Sequence, residues 1–251
     1  MSASLPLSRP TGSRIFRRLV ATGGLLFAFA WGGCSHAPRL SVDWRGGPFF
    51  EPTNVVGVAL MPADVRRVAV LPVHGETEAT DATLAVLDSA ARAALLEVAR
   101  FEIVVPGREF TRAVGGTPTI ATAELLSSRL FERAVSEYGA DAVLFIEVTS
   151  YRPYAPLALG VRAKLVRADE SHAILWSFDT LYDSRDPAVA NSARRHASGG
   201  RGGLVDPGPA ALQSPSRYAA YVFASVFSAL PPRPAPVVLP PNSKVPRHRA
   251  D

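Results

Sequence analysis

A single cysteine, Cys34, serves the whole 251-residue chain, so no intramolecular disulfide closes and the fold cannot be a disulfide-stapled secreted scaffold. Long apolar runs are also missing. The longest, Leu19 to Trp31, has 13 residues; as a helix it rises about 20 Å against roughly 30 Å of bilayer hydrocarbon, too little for a permanent span. Catalytic signatures are absent as well. There is no G-x-S-x-G elbow, and the one Gly-rich stretch, Ser198-Gly-Gly-Arg-Gly-Gly203, follows a helical pattern and lacks the Lys-Ser/Thr that a phosphate loop requires.

Net positive charge is scarcer than it first looks. The 27 Lys and Arg outnumber the 22 Asp and Glu, but Arg9, Arg14, Arg17 and Arg18 all lie in residues 1–33, which contain no acid. The tail from Pro231 removes Arg233, Lys244, Arg247 and Arg249 against Asp251, which leaves 19 basic and 21 acidic residues in 34–230. A near-neutral folded region has no electrostatic basis for binding nucleic acid.

What the sequence does contain begins with Arg14–Cys34, RIFRRLVATGGLLFAFAWGGC. Its cationic start, apolar run and small residues before a cysteine are the three parts of an export signal. Gly32-Gly33-Cys34 resembles the bacterial lipobox, whose cysteine receives diacylglycerol and becomes the mature N-terminus; Trp31 departs from the aliphatic residue usual there. The resemblance implies Cys34 as the lipidation site. With Ser35 rather than Asp following, it implies an outer-membrane anchor facing the periplasm, against the alternative of an uncleaved inner-membrane signal anchor. Ordinary Sec export fits better than a twin-arginine route, because nothing beyond Arg17-Arg18 matches the latter.

Composition divides the chain into a signal (1–33), a tether (34–60), a folded domain (61–230) and a Pro-rich tail (231–251). The tether, with three prolines and three glycines in 35–60, carries Trp44, Phe49 and Phe50, which fit docking against the domain. The domain opens with the β-branched run Arg67–Val73. A helix follows, with Asp81 as cap and Leu84, Leu87, Ala91, Leu95 and Val98 on one face. Phe101–Val105 is a second strand. Turns at Val114–Thr119 lead to a second helix over 121–138 with Leu126, Leu130, Ala134 and Tyr138 on a stripe and Gly139 as its stop. Asp141–Val148 is the strongest strand. Leu159–Ala168 and Ala173–Tyr182 alternate as an antiparallel hairpin around the Asp169–His172 turn. Asp186-Pro187 and Ser214-Pro215 each open a further helix. The expected architecture is a single α/β domain: a mixed sheet of about five strands, βαβαβ then a hairpin, flanked by helices.

The run RRVAVLPV, the strand Gly139-Ala-Asp-Ala-Val143 and the hairpin ending Ile174-Leu-Trp-Ser-Phe178 resemble the α/β domain of several envelope proteins: the curli-secretion lipoprotein CsgG, the lipoprotein activators of penicillin-binding proteins, and the N-terminal domain of TolB. The resemblance implies a non-enzymatic, lipid-anchored accessory that binds or assembles envelope proteins. It does not extend to pore formation, because the connection at Tyr151–Leu157 is too short to supply a membrane-spanning hairpin.

Candidate chemistry concentrates at two places. His74, Glu76, Glu78 and Asp81 follow the first strand, at the carboxyl edge where open α/β sheets hold ligands, and by ligand type suit a cation in a metal-dependent enzyme or hydrolase. A solvated acidic loop at a helix N-terminus accounts for the same residues. The other is Tyr151, Pro153, Tyr154 and Pro156, a stiff aromatic loop of the composition that anchors interfaces. His172 in a turn, His196 beside Arg194 and Arg195, and Trp176 alternating with Phe178 read as structural. No catalytic residue, cofactor or metal is assigned; the partners expected are the membrane, through Cys34, and an envelope protein.

Overall fold

A computed structural model describes residues 46–75, 80–124, 127–199 and 208–234. Cys34, Trp44, Glu76, Glu78, Leu126, most of the Gly-rich stretch and the tail beyond Pro234 lie outside these. Among the described residues are seven strands and five α-helices. The strands are β1 (Val55–Gly57), β2 (Arg67–Val70), β3 (His74–Gly75), β4 (Glu102–Val104), β5 (Ala142–Arg152), β6 (Ala158–Arg167) and β7 (Ile174–Asp183). The helices are α1 (Asp81–Val98), α2 (Arg108–Gly115), α3 (Ser128–Tyr138), α4 (Pro187–Ala197) and α5 (Pro215–Ser228).

The sheet runs β1-β7-β6-β5-β2-β4, with β3 also pairing β5. β2 is parallel to β4 and β5, whereas β5, β6, β7 and β1 are successively antiparallel. This is the expected mixed α/β sheet, widened from five strands to seven by the short β1 and β3. β1 comes from the segment read as tether: Val55 pairs with Phe178 and Gly57 with Trp176 at the sheet edge. The chain before it also lies on the domain. Phe50 N donates to Ser192 Oγ (2.9 Å), Asn191 Nδ2 donates to Pro48 O (3.2 Å), and the Arg195 guanidinium lies 4.6 Å over the Phe49 ring.

One face of the sheet carries Val68, Val70, Leu144, Ile146, Ala163, Leu165, Trp176 and Phe178 and is covered by α1, α4 and α5, which contribute Leu84, Leu87, Val189, Val222 and Phe223. The opposite face carries Ala69, Leu71, Val143, Phe145 and Val166 beneath α2 and α3, through Phe110, Leu130, Phe131 and Ala134. Covering on both sides explains why β2 and β5 read as continuous apolar runs. Among the described residues this second cover stops towards β7, and Arg162, Lys164, Ser177, Asp179 and the half-exposed Leu181 occupy the same face.

Two helix boundaries differ from expectation. Thr80, not Asp81, caps α1: its Oγ1 accepts from Thr83 N at 3.2 Å, and Asp81 opens the first turn. The second helix begins at Ser128 rather than 121, because Thr122 is committed elsewhere. Its N and Oγ1 donate to the buried Glu147 carboxylate (2.8 and 2.5 Å), and its carbonyl accepts from Lys164 Nζ at 2.6 Å. These bonds, with Arg162 Nη1 at 3.3 Å, compensate the burial of Glu147 within the sheet. The turn-rich reading of Val114–Thr119 omits α2, whose eight residues bury only Phe110 and Thr111 and so show no sustained period. The Gly139 stop is as expected, left-handed with its N–H on the Ala134 and Val135 carbonyls.

Candidate functional site

The Tyr151–Leu157 connection proves to be the tip of a long hairpin. β5 continues four residues beyond the expected end at Val148, through a bulge at Val148–Ser150, and pairs with β6 as far as Arg152↔Ala158. The bulge needs Gly160 opposite it: a Cβ there would stand 2.5 Å from Thr149 Oγ1 and 3.2 Å from the Ser150 backbone. The bulge re-aims the last turn of the hairpin without breaking it.

The four loop residues take different environments. Tyr151 is half-buried and packs against the main core, and that burial raises its phenol pKa. Pro153 is half-buried, Pro156 is exposed after a cis peptide bond to Ala155, and Tyr154 stands 79% exposed at the tip. Thus Tyr151 anchors and Tyr154 projects.

The tip is clamped from below. Arg152 Nε donates to Pro156 O (2.5 Å), closing the turn on itself, and Arg152 Nη2 donates to Asp183 Oδ1 (2.9 Å) at the end of β7. Asp183 also accepts from Arg185 N (3.0 Å) and from Arg185 Nη2 (2.6 Å), and Ser184 N donates to Leu157 O (2.9 Å). The Arg185 and Arg152 guanidiniums together hold the Asp183 carboxyl well below the usual carboxylate range. The clamp was not legible in the sequence, because Arg152 and Asp183 are 31 positions apart and become neighbours only through two hairpins.

A pH dependence follows. A carboxyl whose folded pKa is depressed contributes stability above its unfolded value near 3.9, and that contribution is lost as pH falls through that value and below. Asp183→Asn is therefore expected to cost about 1 kcal/mol at pH 7, a charged hydrogen bond discounted for its partly solvated setting. In urea titrations the gap to the unaltered protein should narrow steadily as the pH drops below about 4; a gap that is the same at pH 7 and pH 3 would remove the clamp's electrostatic role.

At the carboxyl edge beside β2, two of the four residues weighed as cation ligands, His74 and Asp81, are described; Glu76 and Glu78 lie outside the described residues. His74 Nδ1 bonds Thr119 Oγ1 at 2.9 Å, and Asp81 is exposed with Arg108 3.8 Å away. A cavity of about 160 Å³ lies there between Val73, Asp88, Arg92 and Arg108. Asp88 Oδ1 accepts from Val73 N (2.7 Å), its Oδ2 faces Arg108 Nη2 (3.6 Å), and burial raises its pKa. These polar groups are spent on one another. Among the described residues no three His, Cys, Asp or Glu side chains gather as metal ligands. His172 stacks on Phe131 (centroids 4.2 Å apart), His196 lies 6.0 Å from the Tyr221 ring, and Trp176 is fully buried.

No protein-family model matches the chain, and no curated protein matches it. Similar solved structures include the PelC dodecamer from Paraburkholderia phytofirmans, at 20% identity over 72% of this chain and 98% of that one, with a TM-score of 0.44. A lipoprotein from Neisseria meningitidis matches at 22% identity over 47% of this chain and 79% of its own, TM-score 0.32. The LpoB C-terminal domain from Escherichia coli matches at 17% identity over 50% and 85%, TM-score 0.34.

Proposed function

We propose that this protein is a non-enzymatic accessory of the cell envelope, held to the membrane through lipid on Cys34 and binding a protein partner through the tip of the β5–β6 hairpin. The observation that carries the reading is the pairing of an exposed Tyr154 with a rigid mount: Arg152 ties the turn to Pro156 O and to Asp183. A large amphipathic side chain held outward on a pre-ordered loop loses little entropy when a partner covers it. Pro153 and Pro156 add to this by restricting the turn before binding.

Anchoring and binding are separable. Cys34→Ala removes both the lipidation and the cleavage that follows it, so the protein is expected to leave the outer-membrane fraction and stay with the inner membrane as the larger, unprocessed form, while it still enriches the same envelope protein as bait in detergent extracts. An outer-membrane share and a molecular mass of the protein that Cys34→Ala leaves unchanged, apart from the substitution itself, would overturn the lipid anchor and favour an uncleaved signal in both forms. Failure of either form to enrich an envelope protein would overturn the binding role.

A further inference from the structure

We propose that the groove between α3 and the β6–β7 turn is the docking site of this chain's own C-terminal segment, residues 235–251. The groove has a volume of about 950 Å³ and is lined by Phe131, Glu132 and Val135 of α3 and by Asp169, Glu170 and His172 of the turn. Its floor is apolar. Phe131 lies at the base with the His172 ring stacked on it (interplanar angle 26°), a placement that the left-handed backbone of His172 (φ 45°) makes possible, and Val135 is 45% exposed beside them. Its rim is acidic: Glu132, Asp169 and Glu170 are all exposed, and among the described residues no lysine or arginine lines it.

Three observations select the occupant. The first is where the segment starts. Pro232 O accepts from Met61 N (2.9 Å) and Arg233 Nη2 donates to Val65 O (2.5 Å), so the described chain ends beside Asp64–Val65. Asp64 pairs with Arg167, and Arg167 pairs with Asp169 on the groove rim. Two linked side chains therefore connect the root of the segment to the groove.

The second is charge. Residues 235–251, APVVLPPNSKVPRHRAD, hold Lys244, Arg247 and Arg249 against the single acid Asp251, and thus complement the exposed Glu132 and Glu170 of a rim whose third carboxylate, Asp169, pairs with Arg167. The third is reach and pattern. At about 3.1 Å per residue, the longest reach of a Pro-rich chain from Pro234 is about 15 Å for Leu239 and about 40 Å for Arg247. In order along the segment, an apolar triplet precedes the cations, as the apolar Phe131 and Val135 lie beside the exposed Glu132 and Glu170 in the groove. Docking within one chain is assisted by the high effective concentration of a short tether.

The test uses the full chain, purified, with p-benzoylphenylalanine in place of Val135, irradiated and mapped by mass spectrometry. The expected product is a crosslink from position 135 to residues 236–249 of the same, monomeric chain. Its yield should fall at least fivefold with Glu132→Lys plus Glu170→Lys, fall equally with Lys244→Glu, Arg247→Glu and Arg249→Glu, and recover when the two sets are combined. All five positions lie on the surface or beyond Pro234, so folding, checked by circular dichroism, is not at issue. Absence of the crosslink, a crosslink found only in dimers (a second copy's segment), or a yield indifferent to the charge reversals would each overturn the proposal.

Discussion

Replacing Trp176 by alanine is expected to cost about 4 kcal/mol, a large share of the roughly 5–15 kcal/mol that a domain of this size has to lose. Trp176 is fully buried in the middle of β7. It pairs with Leu165 of β6 and Gly57 of β1, and its ring packs 5.7 Å from that of Phe178. The neighbours on three sides belong to different strands, so the void left by the indole has no single flexible side chain to fill it. Its Nε1 has no hydrogen-bond partner among the described residues. Trp176→Phe should therefore cost less than half as much, because the smaller ring loses volume but also removes an unsatisfied buried donor. Urea unfolding checks both: the midpoint should shift in that order with the slope unchanged, and equal shifts for the two variants would contradict the account of the indole nitrogen.

Tyr154→Ala is expected to do the reverse. At 79% exposure its side chain contributes little to the free domain, so stability should stay within about 0.5 kcal/mol. Partner affinity should fall at least tenfold, which corresponds to about 1.4 kcal/mol, the scale at which truncating an interface aromatic is felt. Arg152→Ala separates presentation from contact. It leaves the phenol in place but releases Pro156 O and one partner of Asp183, so it should weaken binding through a slower, less ordered association while also lowering stability. If titration calorimetry or surface binding found Tyr154→Ala indistinguishable from the unaltered protein, the hairpin tip would not be the contact.

The sheet was legible in the sequence because its central strands are written in the plainest way. Val68–Val73 and Ala142–Ile146 are apolar on both faces, and only a strand between two helical layers needs that. The α5 face, Tyr218, Val222, Val226 and their neighbours, was equally plain, as were the Asp186 and Ser214 caps, each of which accepts from a backbone N–H of the first turn. What was not legible depended on distant pairs. β1 is three residues long in a Pro- and Gly-rich stretch and becomes a strand only because β7 offers it an edge. The delayed start of α3 is set by Glu147 and Lys164, which reach Thr122 from two other strands, and no local pattern announces that.

The same contrast holds for the sites. Tyr151, Pro153, Tyr154 and Pro156 were singled out by composition, and the fold places them together at one hairpin tip. Their division into a ring packed on the core, Tyr151, and a projecting one, Tyr154, is a matter of tertiary burial, which composition does not reveal. His74 and Asp81 were grouped by ligand type and by their place after the first strand; His74 bonds Thr119 and Asp81 is exposed with Arg108 3.8 Å away, as a solvated loop at a helix start allows. The acidic groove of Glu132, Asp169 and Glu170 was missed because its two walls are more than 30 residues apart; the signal available was the cationic run in the tail, which lacked a counterpart until the turn and α3 were brought side by side.

The central claim, that this domain works by holding Tyr154 against a protein partner in the envelope, is tested most directly by in-cell photocrosslinking from position 154. The account predicts one discrete adduct between the protein carrying p-benzoylphenylalanine at 154 and an envelope protein, absent when the same probe replaces the exposed Val86 on α1. Adducts of equal pattern from both positions, or none from 154, would contradict it.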